Sequence, residues 1–187
     1  MVRLAYSRQF NLYGAATSAA PSIGLAQPFW ADFDALIGEA YLFTTNNGDV
    51  TVTISIRATD INDMPFGLDL VSAVINLQAG VLAGGDGGSN PVYKHTISLP
   101  LPIPKNVNYA IVALASSGTP NWCLTFRNTG WEIIYPKDQG SHNYVNQWRR
   151  SEDGGATWYL AGGASSWWNF EIYGVAAAVP RSHIIVT

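Results

Sequence analysis

From Val50 to Thr59 the chain alternates strictly, with Val50, Val52, Ile54, Ile56 and Ala58 apolar and Thr51, Thr53, Ser55, Arg57 and Thr59 polar. Period two over this stretch predicts a strand with one dry face and one wet face. Asn46-Asn47-Gly48-Asp49 precedes it, and Asn-Gly supplies the positive φ of a hairpin turn. Tyr41 to Thr45 is then the expected partner strand. Further strands are expected at Val71 to Leu77, Val92 to Leu99, Tyr109 to Leu114, Trp122 to Arg127, Trp131 to Tyr135, Tyr144 to Arg150 and Trp168 to Val175. Turn-forming clusters bound them, such as Gly84-Gly85-Asp86-Gly87-Gly88 and Pro100-Leu101-Pro102-Ile103-Pro104. Asp32 to Ala40 is compatible with a helical turn, which Gly38 weakens. Many short strands without a convincing helix predict an all-β fold, an antiparallel two-sheet sandwich of jelly-roll-like form.

No internal repeat divides the chain. Residues 1–24 are expected to form an N-terminal arm or edge strand, 25–176 the β-sandwich domain, and 177–187 a C-terminal arm. Residues 1–20 and 178–187 are the segments expected to clasp neighbouring subunits.

Composition agrees with this architecture. A chain of 187 residues can bury roughly 70% of its unfolded surface and needs no covalent staple. Charged residues make up 12%, about half the usual share. The net charge of −3, with ten Lys and Arg in all, supplies no basic stripe for phosphates, so no nucleic-acid partner is expected. The one cysteine, Cys123, excludes an internal disulfide. Between Trp122 and Leu124 it reads as a structural thiol in a sheet, with a catalytic nucleophile as the lesser alternative. The segment from Met1 lacks the apolar stretch of a signal peptide, and no run of some 20 apolar residues offers a membrane span. Release within a virus particle fits a protein that acts outside the cell without such a signal.

The sharpest local motif is Ser151-Glu152-Asp153-Gly154-Gly155-Ala156-Thr157-Trp158. It matches the Asp-box pattern Ser-x-Asp-x-Gly-x-Thr-Trp. An Asp carboxylate can accept turn amides, Gly can take positive φ, and Trp can fold back over the loop. Ser151, Asp153, Gly155, Thr157 and Trp158 therefore read as a structural turn, with no general acid among them.

The stretch from Trp148 to Trp158, followed by Trp168-Asn169-Phe170-Glu171-Ile172-Tyr173-Gly174, resembles the end of a recurrent β-sandwich module of secreted bacterial and phage virion proteins. Gln27-Pro28-Phe29 stands where that family has its opening strand. Val52 to Thr59 and Asn108-Tyr109-Ala110-Ile111-Val112 are similar to two of its later strands. The resemblance covers roughly residues 25–176 and carries no catalytic motif. It implies a jelly-roll-like sandwich with a carbohydrate-binding or accessory role.

Exposed aromatics are the candidate ligand-binding residues, because a sugar packs its C–H face on a π cloud. If Phe170 and Ile172 face the core, so does Trp168, and Trp167, Asn169, Glu171 and Tyr173 face out. The same parity puts Tyr144, Asn146, Trp148 and Arg150 on one face. The candidate set is thus Tyr144, Trp148, Arg150, Trp167 and Tyr173, with core packing or a subunit interface as the plainer alternative. Asp60, Asn62, Asp63 and Asp86 have the oxygen chemistry of calcium ligands, but turn capping explains them more simply. His95, His142 and His183 have no metal-ligand spacing, so no metal or cofactor is expected. Nucleophile-elbow and phosphate-loop motifs are missing, and no enzyme is expected.

The functional expectation is a non-catalytic bacteriophage virion protein, as capsid decoration, fibre or tail adhesin, with a carbohydrate-binding-like sandwich. Its expected partners are other virion proteins or copies of itself, a trimer among the forms, and a surface glycan. A free-standing carbohydrate-binding module is the alternative, and a glycan-active enzyme the weaker one.

Overall fold

Val52, Ile54 and Ile56 are fully buried, while Thr51, Thr53 and Arg57 between and beside them are half-buried on the opposite face. The structure, a computed structural model, describes residues 1–7, 16–18, 23–31, 33–45, 48–85, 91–126, 148–161, 166–168 and 170–177. Within them the strands are β1 (Val2–Ser7), β2 (Ala16–Ser18), β3 (Gly24–Phe29), β4 (Ala35–Thr44), β5 (Thr51–Thr59), β6 (Pro65–Asn76) and β7 (Val81–Gly85). They continue as β8 (Pro91–Ile103), β9 (Tyr109–Ala115), β10 (Asn121–Phe126), β11 (Arg149–Ser151), β12 (Tyr159–Leu160), β13 (Ser166–Trp168) and β14 (Phe170–Ala176). The only helical element among the described residues is a 3-10 turn, Leu77–Ala79.

The protein is an all-β sandwich of two antiparallel sheets. One runs β1-β14-β4-β10-β13, with β8 on β4, β7 outside β8, and β2 on β10. The other runs β12-β11-β3-β9-β5-β6. Alternate residues from both inner faces meet in one core, including Leu25 and Phe29 of β3, Ile37 and Leu42 of β4, Ile54 of β5 and Ile111 of β9. Trp122 and Trp168 cross edge to face there, with ring centroids 5.0 Å apart.

The expected hairpin between Tyr41 to Thr45 and Val50 to Thr59 does not form, because β4 and β5 are not partners. β4 pairs with β14 and β8 in the first sheet, whereas β5 pairs with β6 and β9 in the second. Leu42 and Val52 both point into the core, which they do from opposite sides because the short connection crosses between sheets. The helical turn expected within Asp32 to Ala40 is replaced from Ala35 onward by strand. The buried side chains of Ala35, Ile37 and Ala40, with a register shift between Ile37 and Glu39, fit sheet pairing.

Two boundaries also move. β8 runs through Pro100 and Pro102 to Ile103. Proline is tolerated there because β7 flanks β8 only along Pro91 to Lys94, leaving one side of the later residues without a ladder. Gly84 and Gly85, expected to be loop, end strand β7. Val2–Ser7 pairs with β14 as an edge strand of the first sheet, and Ala16–Ser18 pairs with β10. The strand expected at Trp131 to Tyr135, and residues 178–187, lie outside the described residues.

Candidate functional site

The outer face of the first sheet follows from parity. Ala40 and Leu42 of β4 and Phe170 and Ile172 of β14 are buried toward the core, so Glu39 and Tyr41, and Glu171 and Tyr173, stand on the other side. The antiparallel register sets Glu171 opposite Tyr41 and Tyr173 opposite Glu39. The result is a crossed square, each tyrosine facing the other strand's glutamate.

Hydrogen bonds lock it along the strands. Tyr41 Oη donates to Glu39 Oε2 at 3.0 Å, and Tyr173 Oη donates to Glu171 Oε2 at 3.2 Å. The bond to Glu39 pushes the Tyr41 phenol above its ordinary pKa, with burial adding to the shift, so the hydroxyl stays a donor. The two rings lie 4.9 Å apart at 44°. On the other flank, β8 sets Lys94 opposite Phe43, and its ammonium lies 4.4 Å from the Tyr41 ring centroid, a cation–π contact. Val81 and Leu82 of β7, 66% and 63% exposed, form an apolar wall.

Tyr41, Tyr173, Lys94 and the β7 wall line a cleft of about 340 Å³, with the buried Glu171 at its floor and Glu39 outside its lining. Beside it on the same face of the sheet Phe43 and Val92 are buried, and Tyr41 packs against them. The cleft offers apolar ring faces beside two phenol oxygens and a charged donor. That combination suits a ligand with both C–H faces and hydroxyls, and the volume lies at the lower end of small-molecule sites.

No family model, curated protein or solved structure matches this chain.

Of the residues singled out from sequence, Tyr173 lies in the cleft. Trp148 does not: it is 5% exposed and belongs to the core, which corrects its reading as a stacking platform. It precedes Arg149, which pairs with Ala26 of β3, so the parity that placed Trp148 and Arg150 together was sound but the shared face is the inner one. Arg150 is half-buried and bonds Glu152 at 3.2 Å, in the other sheet from Tyr173. Trp167 pairs through its backbone with Thr125, while its side chain lies outside the description, as does all of Tyr144. Trp148, Arg150 and Tyr173, the three candidates whose side chains are described, are not gathered into one site. Sequence reading missed Glu39, Tyr41 and Lys94. The available signal was a repeated triplet, Glu39-Ala40-Tyr41 and Glu171-Ile172-Tyr173.

The segment from Ser151 to Trp158 is a self-satisfied turn. Asp153 Oδ1 accepts from the amides of Ala156 and Thr157 at 3.1 and 2.9 Å, and Oδ2 accepts from Thr157 Oγ1 at 2.6 Å. Ser151 Oγ donates to Asp153 Oδ1 at 2.7 Å and accepts from the Gly155 amide at 2.8 Å. Gly154 and Gly155 hold φ of 72° and 88°, where a side chain would be strained. The Thr157 hydroxyl first, then the Thr157 amide and Ser151, hold the Asp153 carboxyl far below the usual range. Trp158 donates from Nε1 to the Gly155 carbonyl at 3.1 Å and packs on Ala26, Ala110, Val112 and Leu114. The turn thus folds over the outer face of the second sheet.

The acidic loop after β5 is occupied with its own capping. Asp60 Oδ1 accepts from the amides of Asn62 and Met64, both at 2.8 Å, and Asp63 Oδ1 accepts from Asn108 Nδ2 at 2.8 Å. Cys123 lies in β10, and its side chain falls outside the description. Among the described residues no three His, Cys, Asp or Glu side chains group as metal ligands. No described helix is long and apolar enough to cross a membrane.

Proposed function

We propose that the protein is a non-catalytic carbohydrate-recognition module carried on a bacteriophage particle, an adhesin of the fibre or tail. The observation behind the recognition role is the tyrosine pair Tyr41 and Tyr173, each anchored through its hydroxyl to a glutamate of its own strand, lining an open cleft beside Lys94. A pyranose ring lays its C–H face on a tyrosine, while the phenol oxygens accept from its hydroxyls and Lys94 donates to a ring or hydroxyl oxygen. Each carboxylate already holds one phenol, an arrangement suited to positioning the two tyrosines rather than to delivering a proton. The particle assignment is supported by the sequence resemblance to virion sandwich modules. A free-standing carbohydrate-binding module would use the same cleft.

The test is a glycan-array screen of the purified chain, with Tyr41→Ala and Tyr173→Ala alongside. Specific binding that both variants lose supports recognition at this cleft. An array without a binder, or binding that survives both substitutions, overturns it. Turnover of a bound polysaccharide would instead make the protein a glycan-active enzyme. Antibody labelling of purified particles tests the placement, and unlabelled particles would leave a free-standing module.

A further inference from the structure

The second sheet ends on β6, a 12-residue strand that pairs only with β5 among the described residues. Such an edge normally carries charge, proline or a covering segment to prevent pairing with another chain. Pro65 stands only at the start of β6, a bulge over residues 67–70 with Gly67 at φ 73° confines the regular edge to Val71 onward, and the one charged residue, Asp69, is held by Arg57 Nε at 2.6 Å. The rest is uncharged. Phe66, Leu68, Leu70 and Val74 are 57%, 89%, 49% and 68% exposed. Val71, Ala73 and Ile75 face the core yet stay only half-buried at this border of the sandwich.

The backbone directions can be read as well. The Leu77 amide donates to the Val50 carbonyl and the Ser116 amide to the Thr51 carbonyl, each at 2.9 Å. Bonding direction alternates along an antiparallel strand, so Val71, Ala73 and Ile75 bond inward to Ile56, Ile54 and Val52. Ser72 and Val74 therefore turn their amides and carbonyls away from β5.

We propose that β6 is a homodimer interface, joined edge to edge with β6 of a second copy. A strand is the occupant because these backbone groups bond best to another strand. A second copy is favoured because the edge is self-complementary. A two-fold axis at Ala73 sets Ser72 of one copy opposite Val74 of the other and brings the two sets of Val71 and Ile75 together over a continuous core. No pair of charges meets across the axis. Phe66, Leu68, Leu70 and Val74 project from the outer face and stay largely exposed in such a dimer, so the contact rests on the paired backbone around Ala73 and on Val71, Ala73 and Ile75, and is smaller than the ~800 Å² per partner of a standard interface. The cleft lies on the other sheet, so the dimer displays two ligand sites.

Sedimentation velocity of the full chain at micromolar concentrations and above tests this, with Val74→Pro and Val74→Lys alongside. Proline removes an outward amide without breaking a bond to β5, and lysine keeps every amide but adds like charge near the axis. The wild type is expected to dimerise, and each variant to weaken the dimer roughly tenfold or more with an unchanged circular dichroism spectrum. If Val74→Pro fails to fold, Val74→Lys decides alone. A wild type that stays monomeric, or an assembly of any size that the folded variants leave intact, overturns the proposal.

Discussion

Tyr41 and Tyr173 face each other from neighbouring strands at 4.9 Å between ring centroids, and each donates its hydroxyl to the glutamate two residues earlier in its own strand. Two copies of one local arrangement are thus brought together, antiparallel, by the β4–β14 register. Stacking surface and polar anchoring are supplied by the same side chains, so they can be separated by substitution.

Tyr173→Phe keeps the ring and removes the bond to Glu171. Loss of a positioned hydrogen bond costs about 1 kcal/mol, so ligand affinity should fall several-fold. Tyr173→Ala removes the ring as well and should lose binding altogether. Titration calorimetry with a glycan that the wild type binds checks the order, and equal losses for the two variants would exclude stacking.

His95 should make the fold sensitive to acid. Its side chain is 4% exposed, and Nε2 lies 2.8 Å from Thr44 Oγ1. Burial lowers its pKa from 6.5 to about 4. Above pH 6.5 neither the folded nor the unfolded chain protonates it. Between pH 6.5 and about 4 the unfolded chain takes up the proton and the folded chain resists it, so stability falls as the pH drops. The full loss is about 3 kcal/mol. Urea midpoints measured from pH 7 to pH 4 should fall more steeply for the wild type than for His95→Gln, and parallel curves would contradict the assignment.

Asp153→Asn should loosen the turn without touching ligand binding. The amide cannot accept on both sides, and its NH₂ group opposes the hydroxyl of Ser151 or Thr157 that the carboxylate receives. The thermal midpoint should drop, and limited proteolysis should cut between Ser151 and Trp158 sooner. Because the Asp153 pKa is depressed, its contribution is present above the ordinary carboxylate range and lost as pH falls below it. Affinity at the Tyr41–Tyr173 cleft, on the other sheet, should not change.

Trp168→Ala opens a cavity beside Trp122 and should cost about 3–5 kcal/mol in chemical denaturation. Trp168→Phe should cost distinctly less. It fills part of the space and removes a buried indole N–H that has no acceptor among the described residues. Equal costs would show that the indole does more than fill the core.

Local pattern determined a good deal by itself. Alternation along Val50 to Thr59 predicted β5, the short apolar run Tyr109 to Leu114 predicted β9, and parity from Phe170 and Ile172 correctly buried Trp168. A period of two is a property of neighbouring residues, so a single sequence displays it. Alternation says which residues share a face, but not which face meets the core. Trp148 and Arg150 were placed together, and only the pairing of β11 with β3 turned that face inward. Chain order likewise suggested a β4–β5 hairpin, whereas burying both apolar faces against each other puts those strands in opposite sheets.

The candidate site depended still more on tertiary structure. Glu39 and Tyr41 are separated from Glu171 and Tyr173 by about 130 residues, and only the β4–β14 register brings the two triplets side by side. Lys94 joins them through β8. The sequence therefore determined that this chain builds strands, where most of them run and how their faces alternate. Strand order and register decided which outer-facing side chains became neighbours, because sheet pairing is a long-range choice made by the burial of the whole core.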